Sequence, residues 1–348
     1  MEKQVVGALA FFLILGLYMT WSRLEHFDED RMGLQAQVEQ LTRKRDQLQQ
    51  AVWEAERNIH RYGLRLETLD GQLRDRLLLL SARKNKSLDT IFFVTPTAFR
   101  LEQKADLTRL SQTLAQVPSL FWIVVEDADM TSKSVYDIIK RTRIPYAHLA
   151  VKTPSDKKMR PSDPNWLLPR GVQQRNAALA YIRTNFASSR TGIVYFGDDD
   201  NVYDWRLFDE MRRVRRAGTW PVGIVGGLVA ERAHVGHDGT IAAVNAIWKP
   251  ERPFALDMAA FAVNVSLVLS HPDASFDYSE KRGMQESHFL LSCGLNSTAD
   301  LEPLADFASK VYVWHTRTEK AKLSSSEARR VEERVSLEPV ERDALGID

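Results

Sequence analysis

Three textures follow one another along the chain. From Val5 to Trp21 no residue is charged (VVGALAFFLILGLYMTW). That length sits at the lower end of the roughly 17–25 residues a membrane helix needs. No small-residue cleavage signal follows it, so the run reads as a retained anchor rather than a cleaved leader. Glu2, Lys3 and the terminal amine precede the run, and Arg23 and Arg31 lie among Glu25, Asp28, Glu29 and Asp30 after it. The positive-inside rule then favours a cytoplasmic amino terminus with the bulk of the chain on the far side.

A 3-4 spacing begins at Leu24 and persists to Leu80. Its positions include Leu34, Val38, Leu41, Leu48, Val52, Ile59, Leu66, Leu69 and Leu73, and the polar exceptions are Arg31, Arg45 and Arg76. A heptad sustained this long predicts a coiled-coil stem over 23–87, linker included, and hence a homodimer. One amphipathic helix laid back on the globular part fits the same pattern, and the helix cost of Gly33, Gly63 and Gly71 favours that alternative.

From residue 88 short β-rich runs alternate with helical ones. Thr90–Val94, Phe121–Val125, His148–Val151 and Gly192–Phe196 are the strand candidates. Helical stretches are expected near 106–116, 132–142 and 171–186, with a proline-bearing loop between Pro154 and Pro169. This alternation predicts an α/β domain with a parallel sheet, whose ligands collect beyond the carboxyl ends of the strands. Beyond residue 220 the alternation loosens. Residues 324–348 are charged and poor in large apolar side chains, so a mobile tail is expected.

Composition narrows the function classes. Lys and Arg total 47 against 46 Asp and Glu, a net charge of +1, which argues against a nucleic-acid binder. The single cysteine, Cys293, excludes an intrachain disulfide and a cysteine-rich zinc site. Asn85, Asn264 and Asn296 each begin an N-x-[ST] sequon. Asn264 lies in an apolar run, which leaves Asn85 and Asn296 as candidate glycosylation sites.

The sharpest chemical signal is Ile193–Asn201, where a buried strand runs into Asp198, Asp199 and Asp200. Alternation in an extended chain would place Asp198 and Asp200 on one face. Adjacent carboxylates repel unless a cation sits among them, and hard oxygen ligands suit Mg²⁺ or Mn²⁺. Capping of the helix near Trp205 is the plainer reading. Arg170 and Arg175 flank a helix start, where anions gather. His315 and Arg317 end an alternating segment and could hold a departing diphosphate. Glu286 opens a helical run and is a candidate general base, or simply an acid stabilised by the helix dipole. Trp248, Arg252 and Asp257 put an aromatic face, a cation and an acid together, a combination that suits a sugar.

In order along the chain, VTPT (94–97), QKADLTRLSQTL (103–114), VEDA (125–128), PRGVQQRNAAL (169–179), VYFGDDDN (194–201), WPVGIVGG (220–227), RPFALDMAAFAV (252–263), RGMQES (282–287) and VWHTRTEK (313–320) resemble the animal β-1,3-glucuronyltransferase family. The resemblance covers about residues 90–322, nearly all the globular part. It implies a type II Golgi membrane protein with a GT-A-like nucleotide-diphospho-sugar transferase domain. The segment 1–22 would be cytoplasmic tip and signal-anchor, 88–200 the UDP-sugar donor half and 201–323 the acceptor half. It further implies transfer of glucuronic acid from UDP-glucuronate to the 3-hydroxyl of a terminal galactose, most closely that of the galactosyl-galactosyl-xylosyl linker of proteoglycans.

By the same resemblance Pro96 and Asp127 sit at the uridine, and Asp198 and Asp199 contact the nucleotide and ribose. Asp200 holds Mn²⁺, with Mg²⁺ the other candidate. Arg170, Arg175, His315 and Arg317 surround the diphosphate and glucuronate, with Arg282 near the donor. Glu231, Trp248, Arg252 and Asp257 face the acceptor galactose, and Glu286 is the base. Two positions depart from the family pattern: Ala98-Phe99 follows TPT where tyrosine is common, and Asn264 stands where the linker-type enzyme tends to have alanine. Relatives with asparagine there act on N-acetyllactosamine ends, which is therefore the alternative acceptor. A different donor sugar, or a membrane-tethered interaction protein with a dead transferase domain, are the other rivals. The cationic cluster argues against the first. The retained acids at 198–200 and 286 argue against the second.

Overall fold

The computed structural model describes the backbone of residues 2–84, 88–159, 163, 167–189, 191–281, 283–334 and 337–347. Within the first helix, side chains are described for 7, 9–23, 33–59, 61–63 and 65. Asn85, the linker 85–87 and Arg282 lie outside the described residues. Residues 1–77 and 78–348 form two separate units.

The first unit is one helix, α1 (Glu2–Lys84, which runs on past the unit's end). The glycines expected to weaken it do not interrupt it. Leu34, Val38, Leu41, Leu48, Val52, Ile59 and Tyr62 are all at least half exposed along it. Among the described residues no helix is long and apolar enough to cross a membrane. The uncharged run starts at Val5, among the residues whose side chains are not described.

In the second unit the predicted alternation is present. Three successive crossovers link β1 (Ile91–Thr97), α2 (Gln103–Leu114), β2 (Leu120–Glu126), α3 (Lys133–Thr142), β3 (Tyr146–Ala150), α4 (Val172–Asn185) and β4 (Ile193–Phe196). The strands are continuous apolar runs because helices cover both faces, and β1, β2 and β4 are almost wholly inaccessible. β1 pairs in parallel with β2 and β4, and β2 with β3. All the carboxyl ends therefore face the same side.

After β4 come β5 (Val202–Tyr203), α5 (Arg206–Met211), β6 (Ala217–Thr219), β7 (Val222–Val225), β8 (Leu228–Val235), β9 (Ile241–Asn245), β10 (Phe261–Asn264), α6 (Val265–Ser270) and α7 (Gln285–Ser292). β11 (Glu302–Pro303), the helical turn α8 (Leu304–Ala308) and β12 (Val313–Trp314) complete the domain. The loosened periodicity has a physical cause. β10 runs antiparallel to β4 and β6, giving a seven-stranded mixed sheet β11-β6-β10-β4-β1-β2-β3. A second sheet, β5-β12-β7-β8-β9, stands beside it.

The aromatic core joins the two halves. Phe93 packs edge-on against Tyr203 at 5.4 Å, and Tyr195 lies 5.7 Å from Trp220. Residues 324–348, expected as a mobile tail, carry two helices, α9 (Ser325–Glu333) and α10 (Pro339–Leu345). Arg330 bridges them by pairing with Glu327 and Glu341, and Lys104 on α2 pairs with Asp343. Both helices are capped and bury no side chain, so low apolar content did not announce them.

Candidate active site

Two clefts open at the carboxyl ends of the strands. The first, about 440 Å³, is lined by Pro96, Phe99, Arg100, Asp127, Arg170, Arg175 and Asp198 to Asp200. The second, about 620 Å³, is lined by Glu231, Trp248, Arg252, Asp257, Gly283 and Glu286. His315 and Arg317 line both. Apart from Arg282, every residue expected at the donor or acceptor, together with the expected base and metal ligand, borders one of these clefts.

In the first cleft Pro96 stands near the end of β1, and Asp127 follows β2. The Asp127 carboxylate accepts from the Thr153 N–H (2.7 Å) and hydroxyl (2.8 Å), which fixes its direction. Arg175 is buried on the first turn of α4. It donates to the Arg170 carbonyl (2.8 Å) and to Asp198 Oδ1 (2.9 Å), and its Nε has no partner. Gly171 precedes α4 at φ +73°, and a Cβ there would lie 2.7 Å from Arg175 Nη1. Only glycine lets the guanidinium cross over the helix start. Arg170 itself is exposed at the rim.

The three aspartates are not equivalent. Asp199 turns inward and is only 5 % exposed. It accepts from both Arg100 terminal nitrogens (2.8 Å each) and from the Thr97 hydroxyl (2.6 Å). Burial pushes its pKa up, Arg100 and Thr97 oppose the rise, and Asp198 adds to it. Its carboxylate, expected at the ribose, borders the cleft while held by these contacts within the protein. The Asp200 carboxylate has no hydrogen-bonded partner among the described residues. Burial, then Asp198 and Asp199, raise its pKa. Its carbonyl is held by Arg109 (3.0 Å) and Thr316 (2.7 Å).

Among the described residues no group of three or more His, Cys, Asp or Glu converges as a metal cage. One unpartnered, half-buried carboxylate beside another nevertheless fits a hard divalent cation whose remaining ligands come from a bound diphosphate, the usual arrangement for nucleotide-bound Mg²⁺.

In the second cleft Glu286 lies in the first turn of α7. Its side chain is 16 % exposed, and Oε2 is buried without a hydrogen bond. Burial, helped by Asp257, pushes its pKa up to about 7. A dipole-stabilised surface acid would shift the other way. Arg252 Nη1 stands 3.6 Å from Oε2 but donates to the Gly283 carbonyl (2.8 Å). Gly283, at φ +78°, has Trp248 against it, where a Cβ would meet Trp248 Nε1 at 2.5 Å. This close fit sets the indole at the cleft wall.

Glu231 on β8 accepts from the Asp257 N–H (2.8 Å), and burial, then Asp257, raise its pKa to about 7. Burial alone would raise Asp257 as well, but His315, the Ala259 N–H and Arg252 hold it below the usual carboxylate range. His315 Nδ1 lies 3.0 Å from Asp257 Oδ2, placed for an ion pair rather than an aligned hydrogen bond. Asp257 raises the imidazole pKa against the opposing effect of burial.

Sequence reasoning missed Arg100, Thr153, Tyr203 and Thr316. Tyr203 donates to the Asp198 carbonyl (2.8 Å). No local spacing marks these residues, because each meets its partner through the fold. Asn264 lines neither cleft. Its side chain accepts from the Ser266 N–H (3.0 Å) and caps α6. Asn296 is exposed.

The sequence pattern of Glycosyltransferase family 43 matches residues 110–319. The chain belongs to glycosyltransferase family 43. Among family members, the Caenorhabditis elegans galactosylgalactosylxylosylprotein 3-beta-glucuronosyltransferase sqv-8 is 51 % identical over 341 residues, covering 98 % of this chain and 95 % of that protein. The Drosophila melanogaster galactosylgalactosylxylosylprotein 3-beta-glucuronosyltransferase I is 48 % identical over 247 residues, 70 % of this chain and 80 % of that one. The human protein named galactosylgalactosylxylosylprotein 3-beta-glucuronosyltransferase 3 is 44 % identical over 252 residues, 70 % and 74 % of the two chains. Among solved structures, Staphylococcus aureus TarS 1-349 aligns at TM-score 0.42 and 17 % identity over 65 % of this chain and 60 % of that one, too distant to support an argument. The family and the mixed α/β fold together make this a glycosyltransferase domain.

Proposed function

We propose that the protein transfers glucuronic acid from UDP-glucuronate to the 3-hydroxyl of the terminal galactose on the galactosyl-galactosyl-xylosyl linker of proteoglycans. The observation that carries this reading is Glu286. It is a buried carboxylate with a pKa of about 7 whose Oε2 accepts no hydrogen bond from the described residues, set in a cleft that meets the strand-end cleft at His315 and Arg317. A general base works best when its pKa lies near the working pH. A relative spanning 98 % of the chain, and others spanning 70 % of it, carry the same activity in their names.

UDP lies in the first cleft, with Pro96 and Asp127 at the uridine and Arg170, Arg175 and Arg317 at the diphosphate and glucuronate. Asp200 would hold a divalent cation, Mn²⁺ by preference, which would supply positive charge to the diphosphate. Galactose enters the second cleft against Trp248, and Glu231, Arg252 and Asp257 orient its hydroxyls. Glu286 takes the proton of the 3-hydroxyl while that oxygen forms its bond to the anomeric carbon. The bond to UDP breaks on the opposite face and UDP leaves with the electron pair. One displacement converts an α-linked donor into a β-linked product. His315, whose pKa Asp257 raises, and Arg317 offset the charge growing on UDP.

The uncharged run Val5–Trp21 supports a signal-anchor and a type II orientation in the Golgi membrane. The exposed heptad side chains of α1 support a parallel coiled-coil homodimer. Asn85 and Asn296 are the proposed glycan acceptors.

The test is an acceptor panel with UDP-glucuronate and Mn²⁺. Transfer to galactosyl-β1,3-galactose well above N-acetyllactosamine supports the linker assignment. The reverse order overturns it in favour of glycoprotein or glycolipid ends, and no transfer to either overturns the reading as a whole.

A further inference from the structure

Arg100 stands out on purely geometric grounds. Its guanidinium makes a two-point contact with Asp199 (Nη1 to Oδ2 and Nη2 to Oδ1, 2.8 Å each), and Nη2 also meets Asp106 Oδ2 at 2.7 Å. Asp199 is 5 % exposed and Asp106 is 2 % exposed, so two buried carboxylates share one cation. The same knot is tied from three further sides. Thr97 donates to Asp199, Gln103 donates to the Thr97 hydroxyl (2.9 Å), and Thr318 donates to Asp106 Oδ1 (2.5 Å). Arg109 bridges Asp106 Oδ1 (3.3 Å) and the Asp200 carbonyl (3.0 Å).

The consequence falls on the residues either side of Asp199. Drawing its side chain into the floor of the cleft, at a turn that follows β4, leaves Asp198 and Asp200 at the surface of that cleft. Arg175 then compensates Asp198. Asp200 is left as the aspartate without a partner, with its backbone clamped by Arg109 and Thr316. Three mutually repelling carboxylates are thus sorted into two compensated ones and one available one. Arginine suits this task because its planar fork matches a carboxylate at two points, which lysine cannot do.

We propose that Arg100 is a positioning residue for donor binding. By holding Asp199 in the cleft floor, it fixes the carboxylate of Asp200 toward the diphosphate and its cation. This rests on the transferase reading above and adds to it a residue whose guanidinium is engaged by two buried carboxylates.

The experiment measures binding of UDP with Mn²⁺ by titration calorimetry, alongside melting temperature and acceptor KM, for wild type, Arg100→Lys, Arg100→Gln and the paired variant Arg100→Gln/Asp199→Asn. The single variants are expected to bind UDP–Mn²⁺ at least tenfold more weakly and to need at least tenfold more Mn²⁺ for half-maximal rate. Lysine should lose less than glutamine, and acceptor KM should stay within about twofold. The paired variant removes both charges and keeps the shape. It should recover melting temperature relative to Arg100→Gln without recovering UDP–Mn²⁺ affinity. Wild-type UDP–Mn²⁺ affinity in Arg100→Gln, or in the paired variant, overturns the proposal and leaves Arg100 as a fold contact only. Absence of Mn²⁺-assisted UDP binding in the wild type instead removes the transferase reading on which the proposal stands.

Discussion

Glu286 and Arg252 lie 3.6 Å apart, yet the carboxylate oxygen facing the guanidinium accepts no hydrogen bond from the described residues. Arg252 Nη1 is already donating to the Gly283 carbonyl. The arginine therefore moderates the charge on Glu286 without neutralising it. Burial outweighs that attraction, so the carboxyl titrates near neutrality rather than near its ordinary value.

This relationship has a cost in stability that depends on pH. Glu286 and Glu231 both have folded pKa values of about 7, above the 4.5 of an unperturbed glutamate. The folded state binds more protons than the unfolded chain between those values. Any stability from these groups is fully present below about pH 4.5 and is lost as pH rises to about 7. Two to three pH units correspond to roughly 3 kcal/mol for each group. Replacing Glu231 by Gln should raise the melting temperature at pH 8 relative to wild type and change it little at pH 4.5. Thermal denaturation at the two pH values checks this, and equal shifts at both would contradict the burial argument.

The rate should follow the same groups. Glu286 must be ionised to accept a proton, so kcat/KM should rise with pH through about 7. His315 carries a raised pKa because of Asp257, and its positive charge helps UDP leave. An alkaline limb should therefore follow. Asp257→Asn removes the partner that raises the imidazole, and should shift that limb toward lower pH. A pH–rate profile of the two proteins measures it. An unmoved alkaline limb would remove His315 from the account.

Metal removal gives a separate check. Dialysis against EDTA should stop transfer, and Mn²⁺ should restore it. Asp200→Asn should need at least tenfold more Mn²⁺, since one carboxylate supplies the protein's share of the ligands. Full activity in EDTA would contradict the role given to Asp200.

Much of this was legible in the chain itself, for local reasons. Runs such as Phe121–Val125 and Ile193–Phe196 announce buried parallel strands. Asp127 and Asp198 follow such runs directly, so sequence proximity already places them at strand ends. The knot around Asp199 was not legible. Thr97 and Asp199 are separated by 102 positions, and Arg100 and Asp199 by 99, so no spacing rule brings them together. The segment Lys310–Arg317 alternates as a strand should, but the assigned strand there is only Val313–Trp314, pairing with β5 and β7. The chain then leaves the sheet as Thr316 turns to the Asp200 carbonyl, which is how His315 and Arg317 come to stand between the two clefts.

The stem makes its own prediction. Along the described part of α1, Leu34, Leu41, Leu48 and Ile59 are 60–72 % exposed in the single chain. A segment spanning 24–82 should sediment as a dimer. Leu41→Asp with Leu48→Asp should make it monomeric, because a charge in a coiled-coil seam is buried without a partner. A monomeric wild-type segment at high concentration would exclude the coiled coil.

The most direct test of the account is the turnover of Glu286→Gln at saturating UDP-glucuronate and galactosyl-β1,3-galactose, with UDP binding measured on the same protein. The side chain keeps its size and loses its ability to take a proton. Loss of the general base should lower kcat by at least about 100-fold while UDP affinity stays at the wild-type value. Turnover within a few-fold of wild type would contradict the assignment of Glu286 and, with it, the mechanism built on the two joined clefts.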